Sequence, residues 1–359
     1  MADPPWRSRL QSGLVIPACP LTLDEDGSWS QRHQRAVVRY YLDAGAGGIA
    51  VGVHSTQFAI RDPAHALFEP ILRLVAEEFD RFENRGDSPS PVRIAGLCGR
   101  SEQAIAEAQL VKRLGYHAGL LSLMAVSGDS ESQVLDHCRR VADELPLIGF
   151  YLQPAVGGRV YSYDFWRRFC EIESLVAIKI APFNRYQTLD VVRAVVESGR
   201  DDISLYSGND DNIIVDLLTE FEFAGRRRRI VGGLLGQWGV WTRAAVELLD
   251  RIKQAREHTQ LDAAWLTQNA ALTDANAAVF DAANGFAGCI PGIMEVLRRQ
   301  GLAPSCRCLN PEETLSPGQA AELDRVIQQY GWLIDDHYVS QHLATWLTDP
   351  TKSRSDEMH

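Results

Sequence analysis

Eight short, nearly continuous apolar runs, each followed by a longer segment of helical period, constrain this chain more than any other feature. The runs are 13–19 (GLVIPAC), 48–53 (GIAVGV), 92–97 (VRIAGL), 118–123 (AGLLSL), 147–152 (LIGFYL), 175–180 (LVAIKI), 203–206 (ISLY) and 230–235 (IVGGLL). Runs this apolar suit strands buried on both faces, as in a parallel sheet covered by helices. Between them, 31–44, 64–82, 101–114, 131–144, 163–172, 188–198 and 212–223 carry amphipathic helical patterns. Ser30 and Ser101 mark helix starts, and Gly45 and Gly115 mark helix ends. Eight alternations predict a (β/α)8 TIM barrel. An open doubly wound sheet is the alternative, but it more often shows a Gly-rich phosphate loop after its first strand, and GLVIPACPLTLDEDG has none.

Beyond the eighth run the strand pattern stops. Residues 241–257, 261–271, 274–284, 291–301 and 317–331 read as helices, and the last dozen (TDPTKSRSDEMH) as a fraying polar tail. The expected division is a barrel carrying the active site over 1–238 and a C-terminal helical extension with its tail over 239–359.

A net charge of −11 argues against a nucleic-acid partner, which calls for a basic face. The tetra-arginine run 226–229 therefore reads as a solvated face or a subunit contact. Seven scattered cysteines form neither a zinc pattern nor a disulfide framework. The N-terminus has no apolar signal-peptide core, and no run has membrane-spanning length. A cytoplasmic protein without a membrane partner is expected.

In a TIM barrel, reactive side chains belong at the C-terminal ends of the strands. Only four lysines occur, and Lys179 alone sits in an apolar run, at the end of the sixth strand. An ammonium there either pairs with an acid, loses its proton more easily and attacks carbonyls, or packs its stem and sends its head to solvent. Tyr151 ends the fifth strand, one βα unit earlier. It reads as a proton carrier facing Lys179 across the barrel mouth, or as a packing residue. The loop after the second strand offers His54, Ser55 and Thr56, whose hydroxyls and amides suit a carboxylate, or simply make a polar turn. His54 is also a candidate acid–base group. Arg185, just past the sixth strand, reads as a contact for a distal carboxylate or phosphate, or as a surface ion pair. Leu234, with Gln237 and Trp238, reads as pocket wall or as packing. Among strand-end positions only His54 is a candidate metal ligand, so neither metal nor cofactor is expected.

Together these segments resemble the dihydrodipicolinate synthase and N-acetylneuraminate lyase superfamily of class I aldolases, over roughly residues 13–300. The resemblance runs through GLVIPACPLTLDEDGSWS, DAGAGGIAVGVHSTQFA, RIAGLCGRSEQAIAEAQLVKRLGYHAGLL, GFYLQPAVGG, LVAIKIAP and LYSGNDDNI; Tyr151 and Lys179 stand 28 residues apart, as in that family. It implies a Schiff base between Lys179 and pyruvate or a related 2-keto acid. Tyr151 would shuttle protons, Ser55 and Thr56 would bind the carboxylate, and the chain would form a homo-oligomer, tetramer or dimer.

Departures from the family pattern weigh against the lysine-biosynthetic synthase. Val156 stands where the synthases carry an arginine, with Arg159 three residues on. Met124 and Ala125 replace the tyrosine lent to a neighbouring subunit. His54-Ser55-Thr56-Gln57 replaces the Thr-Thr-Gly-Glu loop, and Ile180 with Asn184 and Arg185 alters the stretch after the lysine. The resemblance thus implies a class I aldolase or lyase acting on a 2-keto acid. The alternatives are a keto-deoxy sugar-acid dehydratase, a hydratase-aldolase, or a non-catalytic keto-acid-binding homologue.

Overall fold

A computed structural model describes residues 4–86 and 88–348; the polar tail expected at the C-terminus lies almost wholly outside the described residues. The apolar runs form parallel strands β1 (Val15–Pro17), β2 (Gly48–Val51), β3 (Val92–Leu97), β4 (Ala118–Leu121), β5 (Leu147–Leu152), β6 (Leu175–Ala181), β7 (Ser204–Ser207) and β8 (Gly232–Leu235). They hydrogen-bond in the order β1-β8-β7-β6-β5-β4-β3-β2. An Ala18–Ala50 bridge, with the Cys19 amide donating to the Ala50 carbonyl at 2.8 Å, brings β2 back to β1 and closes the ring. The result is a TIM barrel with a helical extension.

Helices Gln31–Asp43, Phe68–Glu83, Ser101–Arg113, Glu131–Ala142, Tyr163–Phe169, Arg185–Ser198, Ile213–Leu218 and Thr242–Ala255 follow the eight strands in turn. The eighth of these lies past residue 238, so the barrel itself runs beyond the division read from sequence. Two apolar clusters result from strand alternation. One fills the barrel, with Ile16, Ile94, Leu120, Ile148 and Leu234 among its members; the other lies between sheet and helices and runs on into the C-terminal helices.

The barrel floor is sealed. The N-terminal helix Pro5–Gln11 inserts Leu10, whose carbonyl accepts the Tyr206 hydroxyl at 2.6 Å, and Trp6 stacks on His117 at 5.4 Å. Any cavity must therefore open at the C-terminal mouth.

Three local expectations change. Segment 212–223 is not one helix: after Ile213–Leu218 the chain makes an antiparallel hairpin, Glu220–Phe223 with Arg226–Arg229. The EFEF–RRRR alternation has period two, and Ala224 and Gly225 both take positive φ, as a two-residue hairpin turn requires. The arginines pair with Asp201, Glu220 and Glu222. Segments 261–271 and 274–284 fuse into one helix, Ala264–Val279. A further helix, Asp336–Trp346, docks on Gln31–Asp43 through Tyr40 to Asp335 (2.6 Å) and Trp346 Nε1 to Asp43 (2.7 Å). No helix among the described residues is long and apolar enough to cross a membrane.

Candidate active site

Along β6, Ile178 and Ile180 join the cluster under the helices, while Ala177 and Ala181 join the barrel interior. Lys179 therefore points inward, with Ala181 one level above it towards the mouth. Its Nζ lies 4.4 Å from the centre of the Phe150 ring. Gly208, just after β7, leaves space for the lysine stem: a Cβ there would stand 2.7 Å from Lys179 Cε. The amine makes no hydrogen bond or ion pair with any described residue. Burial pulls its pKa below the ordinary lysine value, opposed by the charge of Asp210.

Asp210 lines the same cavity, and burial pushes its carboxyl above the usual carboxylate range, opposed by Lys179. The loop carrying it is held from behind. Asn209 accepts the Phe183 amide (3.0 Å) and donates to Asp216 (2.9 Å), and Ser207 also donates to Asp216 (2.9 Å). Asn276 holds the Asp210 carbonyl at 2.6 Å, and the Gln237 amide reaches its carboxylate at 3.4 Å. Asp210 was missed in the sequence reading, although it lies only three residues past the end of β7, on the face where barrel chemistry gathers.

His54 and Ser55 line the cavity from a single 3-10 turn after β2. The turn is tied to β1: Ser55 Oγ donates to the Ala18 carbonyl (2.9 Å) and Thr56 Oγ1 to the Cys19 carbonyl (2.7 Å). Thr56 Oγ1 also accepts the Gly52 and Val53 amides, so it locks the turn and does not line the cavity. Burial, aided by the Lys179 charge, lowers the His54 imidazole to about 4. It is neutral at neutral pH, a donor at one nitrogen and an acceptor at the other.

Tyr151 is not where the sequence reading expected it. β5 and β6 pair with Phe150 opposite Lys179 and Tyr151 opposite Ile180. Because alternate residues of a strand face opposite sides, Phe150 takes the inner wall and Tyr151 turns to the helix layer. There it is fully buried, 4.9 Å from the Trp166 ring and 6.3 Å from Tyr161. Its hydroxyl has no hydrogen-bond partner, and burial pushes it up to about 12.

Arg185 pairs with the buried Asp216 and leans on Thr188, outside the cavity. Asn184 caps the same helix. Leu234 is buried inside the barrel below the cavity lining, where Gly236 of the following turn takes its place; Gln237 and Trp238 are buried behind that turn. Arg159 donates to the carbonyls of Ser127 and Asp129, while Val156 does line the cavity.

The remaining wall comes from the C-terminal extension, through Phe280, Phe286, Cys289 and Ile293. Nothing in the sequence reading pointed to these. Asp281, at φ 58°, ties their loop by accepting the Gly288 amide (3.0 Å) and Asn284 (2.7 Å). Among the described residues no group of three or more His, Cys, Asp or Glu is arranged to hold a metal ion.

Fold and cavity together define a closed (β/α)8 barrel with one inward, unpaired amine at its C-terminal mouth. Solved structures share this fold. Escherichia coli K12 YagE, a prophage protein of the dihydrodipicolinic acid synthase family solved with pyruvate, is 17% identical at a TM-score of 0.70, covering 89% of this chain and 99% of its own. N-acetylneuraminate lyase from Fusobacterium nucleatum, complexed with pyruvate, is 15% identical at a TM-score of 0.68, covering 90% and 99%. A monomeric dihydrodipicolinate synthase variant is 17% identical at 0.68, covering 90% and 98%. No protein-family model matches the sequence, and no curated protein matches it. At these identities the likeness is one of fold.

Proposed function

We propose that the protein belongs to the dihydrodipicolinate synthase and N-acetylneuraminate lyase superfamily and forms a Schiff base between Lys179 and a 2-keto acid. The observation that carries this reading is the Lys179 amine itself, inward on β6, free of any ion pair and desolvated enough to give up its proton more readily than an exposed lysine. Two solved structures of the same fold hold pyruvate.

In this reading the neutral amine attacks the C2 carbonyl. The carbinolamine takes a proton on its hydroxyl and loses water, giving the iminium. Cleavage of C3–C4 then moves the bonding pair into an enamine as the C4 hydroxyl loses its proton and leaves as an aldehyde. Protonation at C3 and hydrolysis release pyruvate and the free lysine. Asp210, with its carboxyl raised towards neutrality, is our candidate for these proton transfers, with neutral His54 beside it. The Ser55 backbone amide is our candidate contact for the keto-acid carboxylate, since the Ser55 hydroxyl already donates to the Ala18 carbonyl. Tyr151 has no part in this scheme. A dehydratase or hydratase-aldolase begins from the same imine, and a homo-oligomer belongs to the same proposal, to be read by light scattering.

The test is borohydride reduction in the presence of pyruvate. The reading requires a stable adduct on the Lys179 peptide and none in Lys179→Ala. The outward Tyr151 favours one other reading, a keto-acid-binding protein without turnover. It predicts the same adduct but no release of aldehyde from any 4-hydroxy-2-keto acid.

A further inference from the structure

We infer that the part of the substrate beyond C4 is apolar and uncharged, an aryl or branched alkyl group. The keto-acid head rests on the Schiff-base reading above; the tail is argued from the walls alone. Phe150 and Lys179 share one level of the barrel, and Leu152 and Ala181, paired in register, form the next. Beyond that level the cavity is walled by Leu152, Val156, Phe183, Phe280, Phe286 and Ile293.

The polar lining is His54, Ser55, Gln153, Asp210 and Cys289 beside Lys179. Lys179 and Asp210 are opposite charges acting on each other. Among the described residues, no arginine and no second lysine lines the cavity. The nearest candidates are committed elsewhere, Arg185 to Asp216 and Arg159 to two carbonyls. A second carboxylate would leave its water here and find no further cation to replace it, and a polyol would lay its hydroxyls against a mostly apolar wall.

Two of the aromatic walls are held against backbone preference. Phe183 and Phe286 adopt φ of 52° and 70°, a left-handed conformation unfavourable for a bulky residue. Each is clamped, the Phe183 amide by Asn209 (3.0 Å) and the Phe286 amide by the Asp281 carbonyl (3.0 Å). Their rings meet edge to face at 6.0 Å. Such a pair leaves ring faces and edges for a third apolar or aromatic group.

Calorimetry on Lys179→Ala, where binding needs no imine, compares 4-phenyl-2-oxobutanoate and 4-methyl-2-oxopentanoate with 2-oxoglutarate and 2-keto-3-deoxygluconate. The first two should bind roughly tenfold or more tighter than the others. Phe183→Asn, which tolerates the left-handed backbone, should erase most of that preference. Equal or tighter binding of 2-oxoglutarate or the sugar acid, or no binding of the phenyl compound, overturns the inference. Borohydride trapping of the unmodified protein is run beside it. If trapping fails with every acid while Lys179→Ala keeps its preference, the imine reading falls and the apolar tail stands. If trapping succeeds without preference for apolar tails, the reverse holds.

Discussion

Lys179 and Phe150 stand side by side on the inner wall of the barrel, paired in register across β5 and β6, with the lysine Nζ 4.4 Å from the ring centre. A ring face attracts an ammonium, but it cannot replace the hydration that burial removes. The balance lowers the amine's pKa, and Asp210 limits the fall.

The rate of borohydride trapping should therefore rise with pH and level off below the ordinary lysine value of 10.5, since only the free amine attacks. Asp210→Asn removes the charge that favours the ammonium, so its profile should move to lower pH. A profile that moves upward, or an unchanged one, would contradict the coupling. Pre-steady-state trapping across pH supplies the measurement.

Tyr151→Phe should leave trapping within about twofold, because the hydroxyl faces the helix layer and has no partner. Losing an unsatisfied buried hydroxyl should leave stability unchanged or slightly raised. Tyr151→Ala, by contrast, empties a site packed between Trp166 and Tyr161 and should cost about 3–5 kcal/mol in denaturant unfolding. A hundredfold loss of trapping in Tyr151→Phe would put the phenol back in the site.

Gly208→Ala should slow trapping by roughly tenfold or more while circular dichroism stays native. The new Cβ would stand 2.7 Å from Lys179 Cε and 2.8 Å from Ala181 Cβ, so the lysine stem must move. A misplacement of about 1 Å at a reacting group can cost on the order of a hundredfold.

Asp216→Ala should destabilise the protein by about 3–5 kcal/mol. It leaves Ser207 and Asn209 without their buried acceptor and Arg185 without its partner. Asp216→Asn keeps the shape and an acceptor oxygen, so it should cost less in thermal unfolding. Near-equal losses for the two would show that the ion pair accounts for the whole effect and the hydrogen bonds from Ser207 and Asn209 for none of it.

Acid should weaken the fold between pH 6.5 and 4. His54 and His117 are both lowered to about 4, chiefly by burial, while the unfolded chain titrates near 6.5. In that window the unfolded state binds more protons than the native one, so stability is present above 6.5 and falls as pH drops towards 4. Each histidine contributes up to about 3 kcal/mol of the fall. His54→Gln and His117→Asn should each flatten the melting-temperature profile; a profile equally steep in both would refute this account.

The barrel was legible because its signal is local. A strand buried on both faces needs an apolar run, and GIAVGV, VRIAGL and LVAIKI supply one whatever lies around them. Lys179 stood out for the same reason, as a charge in such a run. The hairpin 220–229 was misread although its period was visible, because a short helix and a strand meet within one amphipathic segment.

Which face a residue takes was a different matter. Apolar runs read the same whether shifted by one residue or not, so the chain alone did not say that Phe150 looks inward and Tyr151 outward; the β5–β6 register decided it. Asp210, Phe280 and Phe286 come together from segments far apart in sequence. The eight-stranded wall and its lone lysine were written in short stretches of chain, each obeying its own burial pattern. The company that lysine keeps was set only when the ring closed, because side-chain direction and long-range contact are properties of the packed sheet and not of any segment within it.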